Sequence, residues 1–198
     1  MTFIGQRMRT VRARMRADAE KGSAAIEFAM VAPVFFTLLM GIFEAAIMFF
    51  SQAALQNGMT DMGRLIRTGQ AAKWTCTGSG TSQTCTPMTT AQFRTQLCAR
   101  VTPLVPCDGN LQLDVKAQSS YGGGITSPLK TDKTLDPSLN RFDIGNACDV
   151  VIARAFYTRP VVTPLLSWFL INMSGNKTLI TGITAFRNEP FTTTTGGC

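Results

Sequence analysis

An α+β protein is predicted, in which a long N-terminal transmembrane helix continues into a small antiparallel-sheet domain outside the cytoplasm. Three observations predict it. An uncharged run, FAMVAPVFFTLLMGIF, fills residues 28–43, and after Glu44 the segment AAIMFF carries it on to Phe50. All six cysteines follow that run, at Cys76, Cys85, Cys98, Cys107, Cys148 and Cys198. Past residue 110, Leu111, Leu113 and Val115 alternate with polar residues as in a strand, and two further strand segments follow turn-rich stretches.

Residues 1–22 form a basic leader, with six Lys/Arg (Arg7, Arg9, Arg12, Arg14, Arg16, Lys21) against Asp18 and Glu20. Residues 23–50 are the predicted transmembrane helix. From Phe28 to Phe50 the chain spans roughly 34 Å as a helix, enough for a hydrocarbon core of about 30 Å. Arginines crowd the leader while residues 51–63 hold no basic residue. The positive-inside rule then puts the N-terminus in the cytoplasm and everything after Phe50 outside. A secretory signal peptide shares the basic flank, but its apolar core runs to only about 7–15 residues. Ala45, Ala46, Ala53 and Ala54 keep a cleavage there open as the alternative.

Residues 51–69 extend the helix as an amphipathic piece. Leu55, Met59, Met62 and Ile66 repeat at the spacing of one helical face, and Gly69 suits its C-cap. Pro33 is expected to kink the helix unless a neighbour satisfies the freed carbonyl. Residues 70–198 make the outer domain. A Ser/Thr/Gly/Cys-rich loop occupies 75–87. A short helix follows, capped by Thr89 or Thr90 and carrying Phe93, Leu97 and Val101 on one face. Leu111, Leu113 and Val115 alternate with Gln112, Asp114 and Lys116 as a half-buried strand. Residues 118–140 read as a mobile loop, with Gly122-Gly123-Gly124 as a hinge; no Lys-Ser/Thr follows to make it a phosphate loop. DVVIARAFYT (149–158) and TLITGITAFR (178–187) are the other two strands. LLSWFLINM (165–173) is too short to span a bilayer, leaving a core helix or a membrane-skimming helix. Three strands with helices to one side suit a small antiparallel layer packed on the N-terminal helix.

Composition narrows the chemistry. With no histidine among 198 residues, Ser-His-Asp and Cys-His nucleophile systems are excluded, and the commonest transition-metal ligand is missing. No cysteine stands in CxxC spacing, so structural disulfides in an oxidising compartment are favoured over zinc or redox chemistry. Cys98 with Cys107 and Cys76 with Cys85 are the natural local pairs, and Cys148 with Cys198 would tie the tail to the second strand. The formal charge of +7 is concentrated in the leader, and no basic patch with interleaved aromatics follows, which argues against nucleic acid. No catalytic constellation, metal site or cofactor is expected.

At the junction the chain reads Lys21-Gly22-Ser23-Ala24-Ala25-Ile26-Glu27-Phe28. A basic leader, a glycine, a glutamate five residues on and an aromatic at the sixth resemble a type IV prepilin processing site of the Tad (tight adherence) branch. GSAAIEFAMVAPVFFTLLMGIFEAAIMFF (22–50) resembles the conserved segment of TadE-like and TadG-like proteins, including Pro33, Gly41 and Glu44. GRLIRTGQA (63–71), CARVTPLVPC (98–107), LQLDVKA (111–117) and TAFRNEPF (184–191) resemble further segments of the TadE-like family. The resemblance implies that the membrane is the bacterial inner membrane, crossed once, with a periplasmic domain. It implies cleavage between Gly22 and Ser23 by a membrane-embedded prepilin peptidase. It also implies that Glu27 compensates the freed amine of Ser23, its own or a neighbour's, and so sets register among packed helices.

The function this implies is a pseudopilin or minor-pilin-like component of Tad (Flp-type) pilus assembly. Its partners would be other pilin-like subunits, inner-membrane Tad assembly proteins and the peptidase. The alternative is an uncleaved inner-membrane-anchored assembly or adhesion factor with a periplasmic binding domain. Glu44, about 25 Å along the helix from Glu27, would reach the outer headgroups, be protonated, or meet a partner helix.

Overall fold

The computed structural model describes residues 3–107, 109–120, 125–163 and 167–191, with residues 3–21, 81 and 167 described by backbone alone. Two compact units result, Met1–Phe43 and Glu44–Cys198. One helix, α1 (Phe3–Arg67), runs through both. It starts well before the predicted Ser23, because the Arg-, Ala- and Met-rich leader is itself made of good helix formers.

In the first unit, from residue 22 on, most apolar side chains of α1 are exposed. Phe28, Met30, Val34 and Phe43 are all exposed, as on a helix whose solvent is not water. The stretch Gly22–Arg67 is long and apolar enough to cross a membrane. Pro33 lies inside α1 without ending it, and the Thr37 hydroxyl donates to the Pro33 carbonyl at 2.7 Å.

The second unit is a layered α+β domain. Leu55, Met59, Met62 and Ile66 of α1 are buried, as their spacing requires. Past the helix end, Gly69 has φ +74° and its N–H donates to the Ile66 carbonyl at 2.9 Å; a left-handed residue there closes the helix C-terminus. A hairpin of β1 (Thr75–Thr77) and β2 (Thr84–Thr86) follows. The sequence reads only a polar loop there, since three-residue Thr-Cys-Thr strands carry no apolar alternation. Helix α2 (Thr90–Val101) opens with a full capping box between Thr89 and Gln92, and buries Phe93, Leu97 and Val101.

Three antiparallel strands, β3 (Leu111–Gln118), β4 (Val150–Pro160) and β5 (Lys177–Arg187), form a sheet in the order β3-β4-β5. The register sets Leu113 opposite Ala155 and Ala155 opposite Gly182. This face, with Val115, Val151, Ala153 and Ile180, packs in one core with α1 and α2 residues. Gly182 is needed at the contact: a Cβ there would stand 2.9 Å from the Leu55 carbonyl oxygen.

The region 118–140 contains part of β3 and a cover for the sheet's other face. Leu129 bridges Leu135, and Phe142 bridges Val115. Gly122, Gly123 and Gly124, read as a hinge, lie outside the described residues. Of 165–173, residues 167–173 are described, and their helical part is a single turn, α3 (Ser167–Leu170). Trp168 is 77 % and Phe169 74 % exposed, so the core-helix reading is corrected: one turn cannot turn both rings inward.

Candidate functional site

The junction residues lie on the helical first unit. A Cβ added at Gly22 would meet nothing within 4 Å. One residue on, the Ser23 hydroxyl donates to Glu27 Oε1 at 3.2 Å. The helix makes this pair: residues four apart stand one above the other, and a glutamate is long enough to reach back one turn. Phe28 is exposed beside it. Gly22, Ser23, Glu27 and Phe28 are thus brought onto about two turns of helix.

Glu44 belongs to the other unit and has a different environment. Its carboxylate is buried and accepts from two consecutive amides, Val162 N to Oε1 at 2.6 Å and Thr163 N to Oε2 at 2.9 Å. Neither lipid headgroups nor protonation is needed to keep it there. The sequence could not offer these partners, because they lie 118 and 119 residues away. Ser51, two turns on, is also buried and donates to the Leu104 carbonyl at 3.1 Å.

The cysteines brace the outer unit. Cys76 is joined to Cys85 across the β1–β2 register, and Cys98 of α2 is joined to Cys107 in the loop after it. Cys148 is not a free thiol, and Cys198 lies outside the described residues. Among the described residues no group of three or more His, Cys, Asp or Glu side chains gathers to hold a metal.

Two arrangements escape sequence reading. Asp114, buried on the covered face of the sheet, accepts from Arg154 at 2.6 Å and from Arg141 at 3.2 Å, while Arg154 also donates to the Thr126 carbonyl at 2.7 Å. Strand alternation makes Asp114 look solvated, and only the 125–142 cover reveals otherwise. In that cover, hydrogen bonds from the Thr134 hydroxyl to Asp132 and from the Ser138 amide to Asp136 hold both carboxyls below the usual aspartate range. The second arrangement is a pair of glutamines on α1. Gln52 exchanges hydrogen bonds with the backbone of Thr181, and Gln56 with that of Ile183.

With this geometry in place, comparison with known families is decisive for one segment. Residues 22–64 match the family model described as TadE-like protein. Over that segment the chain is similar to TadE-like proteins. The match opens on Gly22 and takes in the Ser23–Glu27 turn, the exposed apolar helix, Glu44 and both glutamines. The matched segment holds the one described helix long and apolar enough to cross a membrane, which agrees with a single-pass anchor. The comparisons with curated proteins and with solved structures gave no match.

Proposed function

We propose that this chain is a pseudopilin or minor-pilin-like component of Tad pilus assembly, structural rather than catalytic, cleaved after Gly22. It sits once across the bacterial inner membrane, with the leader in the cytoplasm and the sheet domain in the periplasm. Its helix packs with other pilin-like subunits and meets inner-membrane Tad assembly proteins, and a prepilin peptidase removes the leader.

The observation that carries this reading is the hydrogen bond from Ser23 to Glu27. Cleavage would make Ser23 the first residue and give it an ammonium. The carboxylate already leans back to that residue, so the new charge would arise beside its counter-ion. In a low-dielectric helix bundle an unpaired carboxylate is costly, which penalises any stacking that separates the two. The outward apolar side chains supply the packing surface, since helices in lipid associate by close contact rather than by leaving water.

One observation favours the uncleaved anchor: α1 runs through Gly22 as unbroken helix, and a peptidase needs an extended strand in its cleft. The reading therefore requires local unwinding at the glycine, the residue type least costly to unwind there. Replacing Glu27 by Ala should leave membrane insertion intact and abolish piliation of the host cell. Normal piliation with E27A would remove the proposed role.

A further inference from the structure

The outer unit carries its exposed large apolar side chains mostly at one end. Glu44 pins the Val162–Thr163 loop and Ser51 pins the turn at Leu104. Both pins grip the first turns of that unit's helix, where Phe49 and Phe50 are exposed and the apolar run has not yet finished. The two loops held there present Val162, Leu104, Trp168 and Phe169 to the exterior. Ile125 and Ile183 are the exposed exceptions elsewhere in the unit.

Trp168 and Phe169 are the telling pair. Every other described aromatic residue past Phe50 is buried or half-buried. Their rings meet edge to face, with centroids 4.9 Å apart. The turn bearing them is tied on both sides, before it by the Glu44 clamp and after it by Asn172, whose side-chain oxygen accepts from Leu179 N at 2.7 Å. From Arg159 to Lys177 the chain has these two basic residues and no acidic one.

We propose that this turn is a second membrane contact, in which Trp168 and Phe169 enter the headgroup region of the leaflet on the domain's side. Tryptophan favours that region because its ring is apolar while its N–H still reaches water or a headgroup. The exposed Lys177 matches anionic headgroups. The buried Glu44 has a purpose in this arrangement: a carboxylate too deep for water is satisfied by the amides of the loop that dips. The domain would thus be held against the bilayer at two points, with its tilt fixed relative to the surface.

The proposal rests on α1 being the membrane anchor, and the experiment separates the two. The full chain is reconstituted in phosphatidylcholine–phosphatidylglycerol bilayers, with lipids brominated either near the headgroup or deep in the acyl chain as quenchers. Trp168 emission is obtained as the difference between the wild type and W168F, which leaves Trp74 in place and alters only an exposed ring. A separate W74F/W168F/F36W variant reports on the helix. The expected result is Trp168 emission at shorter wavelength than in water, quenched by shallow bromines, with emission from the F36W reporter quenched by deep ones. Helix quenching with Trp168 unquenched and freely reached by acrylamide, as it would be facing water or a protein partner, overturns the proposal alone. No quenching of the F36W reporter overturns the anchor reading and the proposal together.

Discussion

Glu44 and Asp114 are both buried carboxylates, and the two are satisfied by different kinds of donor. Glu44 takes two neutral backbone amides, whereas Asp114 takes the guanidinium of Arg154 through both Nε and Nη2. Removing one partner of a buried ion pair costs more than the pair contributes, because the other charge stays behind in low dielectric. Asp114→Asn keeps the shape and strands Arg154, so the full chain in detergent should lose about 3–5 kcal/mol of unfolding free energy. Chemical denaturation measures this, and a loss below about 1 kcal/mol would mean that water already screens the pair. At this scale the sequence was least legible. Glu44 and Asp114 announce themselves as unusual and as ordinary, respectively, yet both depend on residues far along the chain. The Ser23–Glu27 pairing is what the family resemblance implies, and the four-residue helical spacing accounts for the hydrogen bond seen.

Elements were more legible, because strands and helices declare themselves by period. Alternation located β3, the segments 149–158 and 178–187 were read as β4 and β5, and the apolar face of α1 was readable from four residues. The β1–β2 hairpin was hidden by its polar composition, and the full length of α1 by a leader that reads as a flank. The glutamines at 52 and 56 carry no sequence signal of their role. They are one helical turn apart, about 6 Å, close to the spacing of alternate residues on a strand. Each primary amide offers one donor and one acceptor, as a neighbouring strand would, so α1 closes the open edge of β5 at Thr181 and Ile183. An uncovered edge is a template for pairing with another chain. The double variant Q52A/Q56A should lose about 1 kcal/mol per glutamine and self-associate as concentration rises, with sedimentation in detergent as the readout. A variant that stays as stable and as monodisperse as the wild type would show that the edge needs no cover.

For the whole molecule, the fold class was legible from charge, hydropathy and cysteine placement, which act over long stretches and tolerate local error. What those quantities could not convey is the way one helix serves two units. Up to Phe43 it offers an apolar surface to its surroundings, and from Glu44 it is the spine of a folded domain. The TadE-like match covers the junction between these roles and stops at residue 64, before the sheet begins. The central claim is that the basic leader is removed so that Ser23 can present a charged amine to Glu27. Intact mass and N-terminal sequencing of the protein extracted from membranes test it most directly. The account predicts a chain beginning at Ser23 when the prepilin peptidase is present and one that keeps its arginine-rich leader when it is deleted. A chain that keeps its arginine-rich leader in cells with an active peptidase would contradict it.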